Sequence, residues 1–293
     1  ASTAHRRRAR TTGALVALLL LVAACSDRGD GTLRVGTVRD ELLTDSATMM
    51  GWIEEITAQG IRRPGYAADE WTEEWARQKF VELGLEDVTL DPVDVQRWEP
   101  LGCSLEAWHE DAPGERLTLP CYPVPFTAAA DGLEAEIVLT ELEEGEDLAG
   151  RIALVEDVLL ALPLPVYTGL FATWWYDPVN EFPTAVQTLP FSARLGGALE
   201  SAIDAGAVGF VGIVGAPWET DTFYVPYDAV IRPIPGVWLS PANGARLLAF
   251  RAGRATRARL VLARDLRPAV SHNVTGVLRG AGDEWVIVGS HHD

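Results

Sequence analysis

The spacing of apolar and polar positions changes several times along the chain, and each change marks an element. Residues 45–58 (DSATMMGWIEEITA) place Met49, Trp52, Ile53 and Ile56 at i, i+3, i+4 and i+7. This is the stripe of an amphipathic helix, with Asp45 or Ser46 available as its cap. Residues 59–70 are punctuated by Gly60 and Pro64-Gly65 and predict a loop. Residues 69–84 (DEWTEEWARQKFVELG) predict a second helix, with acids early, where the helix dipole favours them, and Gly84 as its stop. Strands are expected at 88–95, 134–140, 151–156, 207–215 and 257–264, with an acidic turn, ELEEGEDLAG, at 141–150. Residues 192–206 predict a helix capped by Ser192 and stopped by Gly206. Residues 234–250 predict a short strand and then a helix opened by Ser240-Pro241, a favoured N-cap and N1 pair. Residues 269–280 and 284–293 predict two adjacent strands joined by a tight GAGD turn. Alternating strands and helices of this kind indicate an α/β or α+β layer structure.

One stretch fits no regular element. Residues 157–191 are rich in proline and aromatics and carry no basic side chain. Such a segment is expected to be a lid or an insert. Its Trp174-Trp175-Tyr176 either forms an exposed binding patch or packs as the insert's own small core.

Composition narrows the partners. The 293 residues are 48% apolar, enough for a real core in one large or two medium domains. The formal charge of −18 argues against nucleic acid, because an acidic surface repels a phosphate backbone. Only Lys79 among the 24 basic residues is a lysine, which is genome composition rather than function.

The first residues give an address. HRRRAR at 5–10 is a basic region, GALVALLLLVAA at 13–24 an apolar run too short to cross a bilayer, and VAAC at 22–25 places small residues before Cys25. This resembles a bacterial secretory signal with a lipobox. The resemblance implies cleavage before Cys25, lipidation of its sulfur, and a chain anchored outside the cytoplasm on the cell membrane; the alternative is an ordinary secreted protein. Residues 25–40 then form a polar tether. In an oxidising compartment the two remaining cysteines, Cys103 and Cys121, are expected to pair as a disulfide rather than stay as buried thiols, closing a loop worth roughly 3 kcal/mol. The Asn-Val-Thr at 273–275 matches a glycosylation acceptor, which a bacterial lipobox discounts.

Three segments resemble one family. NVTGVLRGAGDEWVIVGSHHD (273–293) is similar to the entry of the catalytic domain of co-catalytic zinc exopeptidases, through Asn273, Val274, Gly276, Gly289, His291 and Asp293. That family includes bacterial leucyl-type aminopeptidases, glutamate carboxypeptidases and the non-enzymatic transferrin receptors. GIRRPGYAADEWTEEWARQKFVELGLEDV (60–88) resembles its N-terminal segment. GRIALVE, ALESAIDAGAVGFVGIVG and IPGVWLSPANGARLL resemble an inserted protease-associated domain, except that about thirty-five residues replace a short loop after the first of them.

The resemblance implies an incomplete α/β zinc-exopeptidase sandwich with an inserted α+β domain. On that reading residues 41–100 begin the peptidase domain, 101–268 form the protease-associated domain, and 269–293 start the catalytic sheet, which is cut off. Two zinc ions serve the complete enzyme, with the remaining ligands and a glutamate base expected beyond residue 293. This stretch alone is therefore expected to be inactive and not to hold zinc tightly. Substrates would be peptides, with aminopeptidase favoured over carboxypeptidase activity. A non-enzymatic binding lipoprotein on the same scaffold, or an α/β solute-binding lipoprotein, are the other readings.

Within the ending, spacing assigns roles. In an extended chain residues two apart share a side. His291 is thus the candidate metal ligand, and Asp293 the carboxylate that accepts the second ring N–H and orients it. His292 is expected to face away and do neither. The pairs Glu54-Glu55, Glu73-Glu74 and Glu143-Glu144 are expected to be solvated.

Overall fold

The computed structural model describes residues 43–293 apart from 173–176, 178, 195–196, 221–222, 224, 283 and 293. The signal, Cys25, the tether, Trp174-Trp175-Tyr176 and Asp293 all lie outside the described residues. Two compact units are present. One comprises the chain up to Met49 with Leu162–Gln187, the other Met50–Ala161 with Thr188–Asp293. Among the described residues, no helix is long and apolar enough to cross a membrane.

Two helices come first, α1 (Ser46–Thr57) and α2 (Ala67–Glu82). Asp45 rather than Ser46 caps α1, its Oδ1 accepting from the amides of Ala47 and Thr48. The apolar stripe of α1 is only partly covered: Met49 and Ile53 are exposed, while Trp52 sits edge-on to Trp75 of α2. Helix α2 ends as Gly84 predicts. With φ +81°, Gly84 donates to Val81 O, and the Leu85 amide donates to Phe80 O, the paired bonds of a Schellman close.

The chain then runs into β1 (Glu86–His109), β2 (Ala112–Leu119), β3 (Tyr122–Pro123), β4 (Ala130–Leu139) and β5 (Ile152–Pro163). There follow α3 (Leu164–Phe171), β6 (Val186–Ser192), α4 (Ala198–Asp204), β7 (Gly209–Gly215), β8 (Gly236–Leu239), α5 (Pro241–Arg251) and β9 (Thr256–Val277). The sheet order is β2-β1-β9-β4-β5-β7-β8-β3, with β6 also pairing β5. Strands β4, β5, β7 and β8 are parallel neighbours. Their residues alternate between two buried clusters. Ile152, Leu154, Val211 and Ile213 join Leu247 of α5 on one face, and Ala153, Val155, Phe210 and Val214 join Leu199 and Ala202 of α4 on the other. Both faces of this part are covered, which is why its strands read as unbroken apolar runs.

Four expectations change. The strands foreseen at 257–264 and at 269–280 are one strand, β9, paired antiparallel with β1 from His109↔Thr256 to Glu86↔Val277. The proline between them, Pro268, does not interrupt the ladder's course. Ser192 ends β6 and donates to Asp157 instead of capping a helix; α4 starts after Gly197, whose φ of +81° breaks any earlier turn. Residues 157–191 are not wholly irregular, since β5, α3 and the start of β6 occupy much of them. Finally, 284–292 is not a strand. It has no ladder partner, and Trp285, Val286, Ile287 and Val288 are 75–92% exposed.

Candidate metal centre at the start of helix α2

The site is built from a face of α2 that sequence alone presents as ordinary. Ala68, Asp69, Thr72 and Glu73 are the buried residues of this helix, and Asp69 and Glu73 lie one turn apart on that face. They meet Ser271 and His272 of β9. Asp69 is 0% and Glu73 2% exposed. Two buried carboxylates this close need hydrogen donors and positive charge around them.

The donors are present. Asp69 Oδ2 accepts from the Gly65 amide at 2.8 Å and from Ser271 Oγ at 2.9 Å. Ser271 Oγ is also 2.9 Å from Glu73 Oε1, so its single hydrogen serves one carboxylate at a time. Glu73 Oε1 takes the His272 amide at 2.6 Å, and Oε2 lies 2.8 Å from His272 Nδ1, which therefore carries the ring hydrogen. Burial pushes the Asp69 carboxyl upward, but the bonds from His292, the Gly65 amide and Ser271 outweigh it and hold it below the ordinary value.

His292 completes the cluster. Its Nε2 is 3.1 Å from the His272 carbonyl, an acceptor only, so Nε2 carries a hydrogen. Its Nδ1 faces Asp69 Oδ1 at 3.3 Å. Such a contact is favourable with a hydrogen on Nδ1 or with a cation shared between the two atoms. The His292 carbonyl accepts from Arg62 Nε at 2.8 Å. Ligand atoms of Asp69, Glu73 and His292 lie within 4.8 Å of one another, a donor set of the type zinc takes.

Sequence reasoning placed Glu73 wrongly and did not foresee this cluster. Glu73 is buried rather than solvated, because β9, some two hundred residues later, covers its face. His292 turns into the buried cluster, and His291 is exposed. The usable signal was the pattern of Ala68, Asp69, Thr72 and Glu73, small and acidic positions on one face of a helix that also carries Trp71 and Trp75. Cys103 and Cys121 are brought together, but as thiols: their Sγ atoms are 2.7 Å apart and Cys103 Sγ lies 2.9 Å from the Cys121 carbonyl.

No protein-family model and no curated protein matches the chain. Solved structures do. A peptidase M28 precursor from Shewanella amazonensis aligns with a TM-score of 0.55 at 22% identity, over 76% of this chain and 48% of that one. The chain shares the fold of an M28 peptidase. An aminopeptidase from an Aneurinibacillus species and a zinc aminopeptidase from Bacillus subtilis each align at TM-score 0.48, with 17% and 18% identity, over 79% and 78% of this chain and 47% and 45% of theirs. The chain thus spans about half the length of the structures it matches.

Proposed function

We propose that this chain is the front part of a zinc-dependent exopeptidase, an aminopeptidase in the first instance, held outside the cytoplasm by lipid on Cys25. One observation carries the reading. The Arg-Pro-Gly loop with α2, and the stretch ending in Gly-Ser-His-His-Asp, each resemble the same family and are far apart in sequence. In the fold they meet, through Arg62 and Asp69 on one side and His292 on the other. The M28 fold is consistent with this.

In this reading His291 holds zinc, and Asp293 accepts its second ring N–H, fixing the tautomer and raising ligand basicity. Zinc, when bound, polarises the scissile carbonyl and lowers the pKa of a bound water. The chain's own contribution is placement: α2 and β9 set a dry, hydrogen-bonded floor beneath the histidines. The inserted α/β layers between β1 and β9 are read as a protease-associated domain, and the Cys103–Cys121 pair as a disulfide in the oxidised protein. Peptides are the substrates, and nucleic acid is not a partner.

A second reading has its own observation. Asp69 Oδ1 and His292 Nδ1 face each other at 3.3 Å, about the edge of a tetrahedron with zinc-length bonds. A cation could therefore sit among Asp69, Glu73 and His292. Zinc titration of the full-length protein separates the two. Loss of bound zinc in His291→Ala, with retention in Glu73→Gln, supports the first; the reverse supports the second.

A further inference from the structure

We propose that His292 is a positioning residue, a peg that fixes the backbone from which His291 projects. The inference rests on the reading that His291 is the zinc ligand, and it assigns a role to the neighbour that this reading leaves idle.

At His292 long-range contacts converge from three elements. The loop before α2 gives Arg62 Nε to its carbonyl at 2.8 Å, β9 gives the His272 carbonyl to its Nε2 at 3.1 Å, and α2 gives Asp69 Oδ1 to its Nδ1 at 3.3 Å. The backbone carbonyl and Nε2 are thus hydrogen-bonded and Nδ1 faces a buried carboxylate at ion-pair distance, which restrains position and rotation together.

The socket is itself locked. Ser271 and the His272 amide bind Glu73, Ser271 reaches Asp69, and Asp69 takes the Gly65 amide. Gly65 has φ +78°, and a Cβ there would lie 2.7 Å from Ala269 Cβ, so the loop seats directly on β9. No part of the socket moves without breaking bonds in another. The other carboxylate oxygens of the cluster already accept hydrogens from Gly65, Ser271 and His272. Asp69 Oδ1 is left to face His292. That is the arrangement of a ring held in place, and a ligand whose neighbour is held in place loses little freedom when metal binds.

The test uses the full-length protein. Zinc affinity is measured by chelator competition, amide exchange over residues 289–292, and kcat and KM on an aminoacyl reporter. Three variants are compared: His292→Leu, Asp69→Asn, and His292→Asn, whose amide nitrogen keeps a donor toward Asp69. Arg62→Gln, which alters only the bond to the carbonyl, serves if the buried variants fail to fold. His292→Leu and Asp69→Asn are expected to weaken zinc about 10- to 100-fold at unchanged stoichiometry. They should also speed exchange at 289–292 and lower kcat with little change in KM. His292→Asn should recover part of each effect. Unchanged exchange and zinc affinity in all variants would overturn the peg, and so would loss of one zinc per chain in His292→Leu, which would make His292 a ligand. If the wild-type protein neither binds zinc nor hydrolyses the reporter, the zinc reading fails. The exchange measurement then still decides whether His292 fixes this stretch.

Discussion

At the scale of residues, the buried polar groups dictate what can be changed. Gly65 sits beside them and has no room for a side chain. Its left-handed backbone disfavours a side chain by about 1–2 kcal/mol, and the Cβ would press on Ala269. Gly65→Ala should therefore lower stability by about 2–4 kcal/mol in urea unfolding, and with it the docking of Asp69. Asp157 offers a pH test away from the site. Burial raises its carboxyl above the ordinary value, against the Ser192 hydroxyl donating at 2.5 Å. A raised folded value means its contribution is complete at pH below the unfolded carboxyl range and is lost as pH climbs through the folded one. Asp157→Asn keeps the Ser192 bond, so its melting temperature should gain on the wild type as pH rises from about 4 to about 7. An equal difference at both ends would contradict this. What sequence could not tell at this scale is which acids are covered. Asp69 and Glu73 look like their neighbours Glu70 and Glu74 until β9 is laid over one helix face.

At the scale of elements, most of the order was legible, because local signals and tertiary packing agree. Ser240 caps α5 through the Asn243 amide, Gly84 closes α2, and the apolar runs at 152–155 and 209–214 are strands buried on both faces. Legibility failed where an element depends on a partner. β9 reads as two strands because its two halves have different neighbours, β4 and β1 beside residues 257–262 and, among the described residues, β1 beyond, yet the backbone runs through. The start of α4 was misplaced because Ser192 serves a strand end instead. Between elements, Arg232 is the chief ionic tie: it is 5% exposed and donates to Glu200 on α4, Asp228 and the Val230 carbonyl. Both acids are partly solvated, so Arg232→Met should cost about 1–3 kcal/mol, less than breaking a fully buried pair. Gly84→Ala should cost about 1 kcal/mol through the left-handed close of α2. Both are checked by chemical denaturation.

At the scale of the whole molecule, two ends of the sequence converge on one place. In this M28-like fold the loop at Arg62 and the helix at Asp69 meet His292, although some 220 residues separate them. The fold class was legible from alternating strands and helices. The central claim is that the histidine pair divides its labour, His291 toward zinc and His292 toward the protein. The most direct measurement is zinc bound per chain in the full-length protein, compared between His291→Ala and His292→Asn. The account predicts that His291→Ala loses zinc and peptide hydrolysis while His292→Asn keeps the same stoichiometry at reduced affinity. Zinc lost from His292→Asn but retained by His291→Ala would contradict it.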